Sequence, residues 1–166
     1  MSVLKSFPGY GGQTTQQLIA LEGEFEPWTL VAAIEQGLCK KFGYGDSAEL
    51  TAPERNVLAV LSLEREVMNG GYSQFFGNSS VEFVCIIVEA LVEIGCPNTA
   101  DLTKRAIDTL HLEVLTPTAA EAAAAQSNLQ RDEVLDDYDQ VFFKYEERPD
   151  LKLFSYISAN LNSIRL

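Results

Sequence analysis

Two adjacent glycines set the geometry this chain can adopt. Asn69-Gly70-Gly71 falls between two long apolar segments. A doubled glycine after asparagine is a strong helix stop, because glycine closes a helix C-terminus in the left-handed conformation without a Cβ clash. The upstream helix is therefore expected to end near Met68. Its start is Thr51-Ala52-Pro53-Glu54, with a threonine N-cap, a first-turn proline and a glutamate placed to reach back to the cap. Between these signals Val57, Leu58, Val60, Leu61, Leu63 and Val67 give a broad buried face. Beyond the glycines Tyr72, Phe75 and Phe76 recur at helical spacing, so a short aromatic-packed helix is expected, ending at Gly77-Asn78. Ser79-Ser80-Val81-Glu82 reads as a second capping box that opens another helix.

Ahead of this centre, Phe7-Pro8-Gly9-Tyr10-Gly11-Gly12 makes residues 1–13 a turn-rich arm, whose aromatics favour docking on the domain. Thr14 to Leu21 reads as a short helix. Pro27 opens a firmer one with Trp28, Leu30, Val31, Ile34 and Leu38 on its apolar face. Gly43-Tyr44-Gly45-Asp46-Ser47-Ala48 fits the spacing of a dinucleotide fingerprint, but no strand precedes it, and it reads as a helix-to-helix loop.

Val81 to Ile94 is almost wholly apolar and rich in β-branched residues, so a strand competes by propensity. The Ser79 box, the closing Gly95 and the placement of the acids favour a central helix. Thr99 is expected to cap the next helix, through Leu102, Ala106, Ile107 and Leu110. His111 near its end, the single histidine, reads as a structural or surface residue. Thr118-Ala119-Ala120-Glu121 reads as a third capping box. After Pro149, the residues Leu153, Phe154, Ile157, Leu161 and Ile164 mark a terminal amphipathic helix that closes the core or supplies a dimer contact. The expectation is an all-α fold, a single domain over 1–166 of about seven helices, with a helix, Gly-Gly, short helix, helix centre.

Charge is the abnormal property. The chain carries 24 acidic against 12 basic side chains, a formal net charge of -12. Such a surface repels nucleic acid and anionic membranes and speeds encounter with basic partners, although solubility alone also favours acidity. At about 100° per residue Glu82, Glu89 and Glu93 share one narrow sector of the central helix. Further on, Val134, Leu135, Tyr138, Val141, Phe142 and Tyr145 cluster on one side of a helical wheel. Asp132, Asp136, Asp139 and Glu146 cluster opposite, with Phe143 inside the acidic sector. An aromatic ringed by carboxylates suits either a basic, partly apolar groove on a partner or another helix of the same fold.

The stretch Glu66-Val67-Met68-Asn69-Gly70-Gly71-Tyr72-Ser73-Gln74-Phe75-Phe76-Gly77-Asn78-Ser79 resembles the signature of an acidic bacterial family of largely unassigned function. Its best-described member is a DNA-mimic protein. The family pattern runs Glu-x-Asn-Asn-Gly-Gly-aromatic-x-Gln-Phe-Phe-x-Asn-Ser, and this chain departs from it at Met68 and Gly77. Asn69, Gly70, Gly71, Tyr72, Gln74, Phe75, Phe76 and Asn78 carry the match, which extends more weakly over 51–166. The resemblance implies an all-helical, dimeric protein that occupies the DNA-binding surface of a transcription factor.

On that basis Glu82, Glu89, Glu93, Asp132, Asp136, Asp137 and Asp139 are expected to stand in for phosphates, with Phe143 as an aromatic anchor. The partner expected is a basic protein, a DNA-binding transcription factor or nucleoid protein, with no direct nucleic-acid or membrane binding and with a homodimer as the assembly. Two alternatives stay open. One is a small-ligand or enzymatic site at the hinge, where Asn69, Tyr72, Gln74 and Asn78 offer amides and a phenol. The other is an immunity-type interaction protein whose basic partner has no link to DNA recognition.

No catalytic residue, cofactor or metal set is expected. Neutral amides supply no general acid or base, and Glu64 and Glu66 are expected on a helix surface. Cys39, Cys85 and Cys96 lie in no metal-type spacing and read as buried thiols of a reducing compartment. With no signal-peptide layout and no apolar run long enough to span a bilayer, a cytoplasmic location is expected.

Overall fold

The computed structural model describes residues 4–42, 49–144 and 146–166. The Gly43-to-Ala48 loop reading and the placement of Tyr145 on a helical wheel lie outside these residues. Among the described residues the chain forms α1 (Thr15–Ile19), α2 (Pro27–Phe42), α3 (Ala52–Gly77), a 3-10 turn (Ser79–Phe83), α4 (Ile87–Glu93), α5 (Pro97–Asp108), α6 (Pro117–Ala124), α7 (Leu129–Phe142) and α8 (Pro149–Ala159). They divide into two compact units, Met1–Leu58 with Asp150–Leu166, and Ala59–Pro149.

In the first unit the arm docks as expected. Phe7 N–H donates to Thr29 Oγ1 at 3.0 Å and Tyr10 N–H to Gln36 Oε1 at 2.9 Å, while the Phe7 and Phe25 rings meet edge to face. Thr14 and Gln17 form a capping box at α1. Leu30, Val31, Ile34 and Leu38 of α2 are buried, but Trp28 is half exposed and its indole donates to the Glu26 carboxylate instead. The Thr51 box closes as expected, with Thr51 N–H on Glu54 Oε2 at 2.9 Å. The other oxygen of Glu54 accepts the Arg165 N–H at 2.8 Å, and Thr51 Oγ1 donates to the Ser163 carbonyl. The terminal segment is thus fastened to the start of α3. Helix α8 buries Leu153, Phe154 and Ile157 but ends at Ala159, so Ile164 reaches the core from beyond the helix.

In the second unit α3 kinks where the glycines predict. Gly71 adopts φ +76°, ψ −179°, and helical geometry resumes at Tyr72. Tyr72, Phe75 and Phe76 are fully buried. The helix expected over 81–94 is broken. Ser79–Phe83 winds as a 3-10 turn whose N-cap, Asn78, makes no side-chain cap, and α-helix begins only at Ile87. The Ser79 box does not form: Asn78 takes the N-cap position, and its side chain and that of Ser80 both donate to Glu66. The β-branched run that follows has little intrinsic helical drive.

Gly95, at φ +89°, closes α4 with the Cys96 N–H on the Leu91 carbonyl at 2.8 Å. Helix α5 starts at Pro97, which places Thr99 inside the first turn rather than at the cap. Likewise α6 is capped by Thr116 ahead of Pro117, two residues before the Thr118 box expected from sequence. Helix α4 packs on α5, α5 on α7, and α6 on the 3-10 turn. Of the three thiols only Cys96 is buried; Cys39 is intermediate and Cys85 exposed.

Candidate functional site

Two carboxylates inside the second unit organise its centre, and both were expected on the surface. Glu66 is 8 % exposed. Its Oε2 accepts from Gln74 Nε2 at 2.7 Å and Asn78 Nδ2 at 2.8 Å, and its Oε1 from Ser80 Oγ at 2.9 Å. Burial raises the Glu66 pKa, but the three donated hydrogen bonds together with Arg65 more than offset it, and the carboxyl is held below its ordinary value. The polar residues of the hinge motif therefore converge on one charge. Tyr72 is buried with its hydroxyl 2.9 Å from Thr103 Oγ1, and burial pushes its phenol well above the usual range. The groups offered above for a hinge ligand pocket thus have internal partners, apart from Asn69, which is exposed.

Asp139 is the second buried carboxylate. It belongs to a narrow buried stripe of α7, Leu135, Asp139 and Phe142 at i, i+4 and i+7. The wheel placed it opposite Leu135 and Phe142; what turns it inward is a partner far away in sequence, the Tyr72 N–H that donates to Asp139 Oδ1 at 2.9 Å. That N–H lies directly after the kink, where Gly70 and Gly71 leave helical geometry. Gly71 makes the approach possible, since a Cβ there would fall on the Asp139 carboxylate. Burial, then the neighbouring Asp136 charge, raise the Asp139 pKa against the lowering effect of the Tyr72 hydrogen bond. Asp139 is accordingly unavailable as a phosphate surrogate.

The remaining predicted acids are outward. Glu82, Glu89, Glu93, Asp136 and Asp137 are exposed, though Glu82 sits on the 3-10 turn and only Glu89 and Glu93 share a helix. Asp132 is partly exposed and paired with Arg131, whose buried guanidinium also donates to the carbonyls of Ala123, Ala124 and Gln126 and so seals the end of α6. Phe143, 41 % exposed, stands beside Val141, which is 47 % exposed although the wheel placed it on the buried side. Sequence reasoning missed Glu147 as a functional group of the scaffold. Its carboxylate accepts from the Asn98 and Thr99 N–H groups and from Thr99 Oγ1 at 3.1, 2.7 and 2.7 Å, capping α5 from outside the helix.

Charge is unevenly divided. Sixteen of the 24 acidic side chains but only six of the 12 basic ones fall in residues 59–149, so nearly all of the net charge belongs to the second unit. Three of those cations are spent on local pairs, Lys104 with Asp108, Arg105 with Asp101 and Arg131 with Asp132. Among the described residues no His, Cys, Asp or Glu group of three or more could hold a metal ion, and no helix is long and apolar enough to cross a membrane.

These features define an all-α protein with a kinked central helix and a strongly anionic second unit. A sequence-family profile described as DMP19-like protein matches residues 48–160, and the chain belongs to that family. The family is associated with DNA mimicry. No curated protein and no solved structure matches the chain.

Proposed function

We propose that this protein is a non-enzymatic acidic interaction module that acts as a DNA mimic, occupying the basic DNA-binding surface of a transcription factor or nucleoid protein. The observation that carries the reading is the outward array of carboxylates on the second unit of a DMP19-like chain: Glu82, Glu89 and Glu93, with Asp132, Asp136 and Asp137 on α7. Like charges one turn apart at Asp132/Asp136, Glu133/Asp137 and Glu89/Glu93 each cost a few tenths of a kcal/mol of helix stability. A partner's cations relieve that repulsion on binding. Carboxylates one helical turn apart advance about 5.4 Å along an axis, while each DNA strand presents a phosphate about every 3.4 Å. The imitation is therefore of charge density, giving fast and salt-sensitive association. Phe143 adds an apolar contact within that field, and a homodimer is the assembly to test by sedimentation.

The test is capture from a bacterial lysate with the protein as bait, eluted by stepped salt, with duplex DNA as competitor and Asp136→Lys/Asp137→Lys as the matched control. Capture of a DNA-binding protein that duplex DNA displaces, and that the control loses while staying folded, is the expected result. Capture indifferent to DNA or to the charge reversal overturns the reading.

A further inference from the structure

The second unit also carries a small cavity between α5 and α7, of about 70 Å³, walled by Leu102, Val141 and Phe142. Among the described residues its charged lining is two carboxylates, Glu146 and Glu147, and does not include Lys144 or Arg148. Glu147 is committed to the N-terminus of α5, so the outward charge at the mouth is that of Glu146. Asp137 stands one turn before Val141 on the same face of α7, and both are exposed.

Size decides what such a hollow can hold. Small-molecule sites run to about 300–1,000 Å³, several times this volume. Apolar cavities that admit benzene are about 150 Å³, so an aromatic ring is too large here while the tip of a single aliphatic side chain fits. An apolar floor under an anionic rim calls for an apolar group presented between cations. A purely electrostatic imitation of DNA gives no reason for it, because a duplex presents no aliphatic pocket to its reader.

We propose that this cavity receives one aliphatic side chain of the basic protein partner, flanked by lysine or arginine residues that meet Asp137 and Glu146. The inference rests on the interaction reading above and names the chemistry of the segment recognised. The partner is held by charge for encounter and by this one apolar contact for residence. Acidic residues then set the salt dependence of binding, and the cavity sets a salt-independent part of the affinity.

Short fluorescein-labelled lysine-rich peptides that differ only at a central leucine, serine or tryptophan provide the probe, titrated by anisotropy over a salt series. The leucine peptide is expected to bind about tenfold or more tightly than its serine twin, the yield of burying one such side chain. Both should show the same salt slope, with the Leu102 and Val141 methyl signals perturbed only by leucine. Val141→Ser, at a half-exposed position, should erase the leucine preference and leave the slope and the thermal melt unchanged.

Equal, salt-sensitive binding of the leucine and serine peptides overturns the cavity proposal while the acidic-surface reading stands. A leucine preference that persists unchanged in Asp136→Lys/Asp137→Lys, with no salt dependence, overturns the acidic-surface reading and the Asp137 contact, and leaves only the seat for the aliphatic side chain. Tryptophan equal to leucine overturns the size argument and places the apolar contact on exposed Phe143. Failure of all three peptides to bind overturns both readings.

Discussion

The backbone N–H of Tyr72 donates at 2.9 Å to the carboxylate of Asp139, 67 positions away. A side chain of α7 thereby completes the hydrogen bonding of a kink in α3. The approach needs both a missing Cβ and a positive φ at Gly71.

Gly71→Ala should therefore destabilise the fold on the order of 3 kcal/mol, combining a left-handed backbone strain with displacement of Asp139. Gly77→Ala is the internal control. Nothing lies within contact distance of a Cβ there, and the exchange should change stability by less than about 1 kcal/mol. Urea unfolding of the two variants checks the contrast; equal losses would mean that the kink tolerates a side chain.

Glu66→Gln can keep its oxygen on Gln74 and Asn78 and turn its NH₂ to Ser80, whose hydroxyl must then accept, but it loses the charge that three donors support, and should cost about 1–2 kcal/mol near neutrality. Because the native pKa of Glu66 is depressed, its stabilisation is complete above the unfolded carboxyl value of about 4.3 and is lost as pH falls through the native one. The gap between the parent protein and Glu66→Gln should thus be constant at neutral pH and shrink under acid. Unfolding curves collected across that range decide it.

Asp139 behaves oppositely. Its native pKa is raised, so its contribution is favourable at low pH and is lost as pH rises through the native value. Asp139→Asn keeps an oxygen for the Tyr72 N–H without the buried charge, and should equal or exceed the parent protein in stability at neutral pH, with the advantage vanishing in acid. Asp139→Leu leaves that N–H orphaned and should lose about 1–3 kcal/mol at either pH. Parallel thermal melts at two pH values would expose a wrong sign at once.

Glu147→Ala should remove the outside cap of α5 and cost about 1 kcal/mol, confined to the first turn of that helix. Amide hydrogen exchange at Asn98 and Thr99 is the direct readout, and unchanged protection there would show that the cap contributes nothing.

What the sequence made legible was local. The Thr51-Glu54 box, the Gly70-Gly71 kink, the buried Tyr72-Phe75-Phe76 cluster and the glycine closing α4 all depend on residues within a few positions of one another. Three of the failures share one physical kind. The Ser79-to-Glu82 box was expected to open a helix, yet a carboxylate more than ten residues earlier takes the side chain of Ser80 within it and of Asn78 just before it. Thr99 was expected to cap its helix and is itself part of a turn capped by Glu147, 48 residues on. Asp139 looked like surface because a wheel weighs polarity and cannot see a distant unpaired N–H. Asp136, which the wheel placed outward, and Asp137, also of the candidate surface, are exposed.

Glu54, Glu66, Asp139 and Glu147 each receive backbone or side-chain donors that the fold would otherwise leave unsatisfied. An alanine scan of this chain's acids would accordingly sort into two populations. Loss of a scaffold carboxylate would appear as reduced yield and a lower melting point, whereas loss of an outward one would appear as a silent, well-folded protein. Formal net charge counts both alike, and so overstates how much of this molecule's acidity faces the outside world.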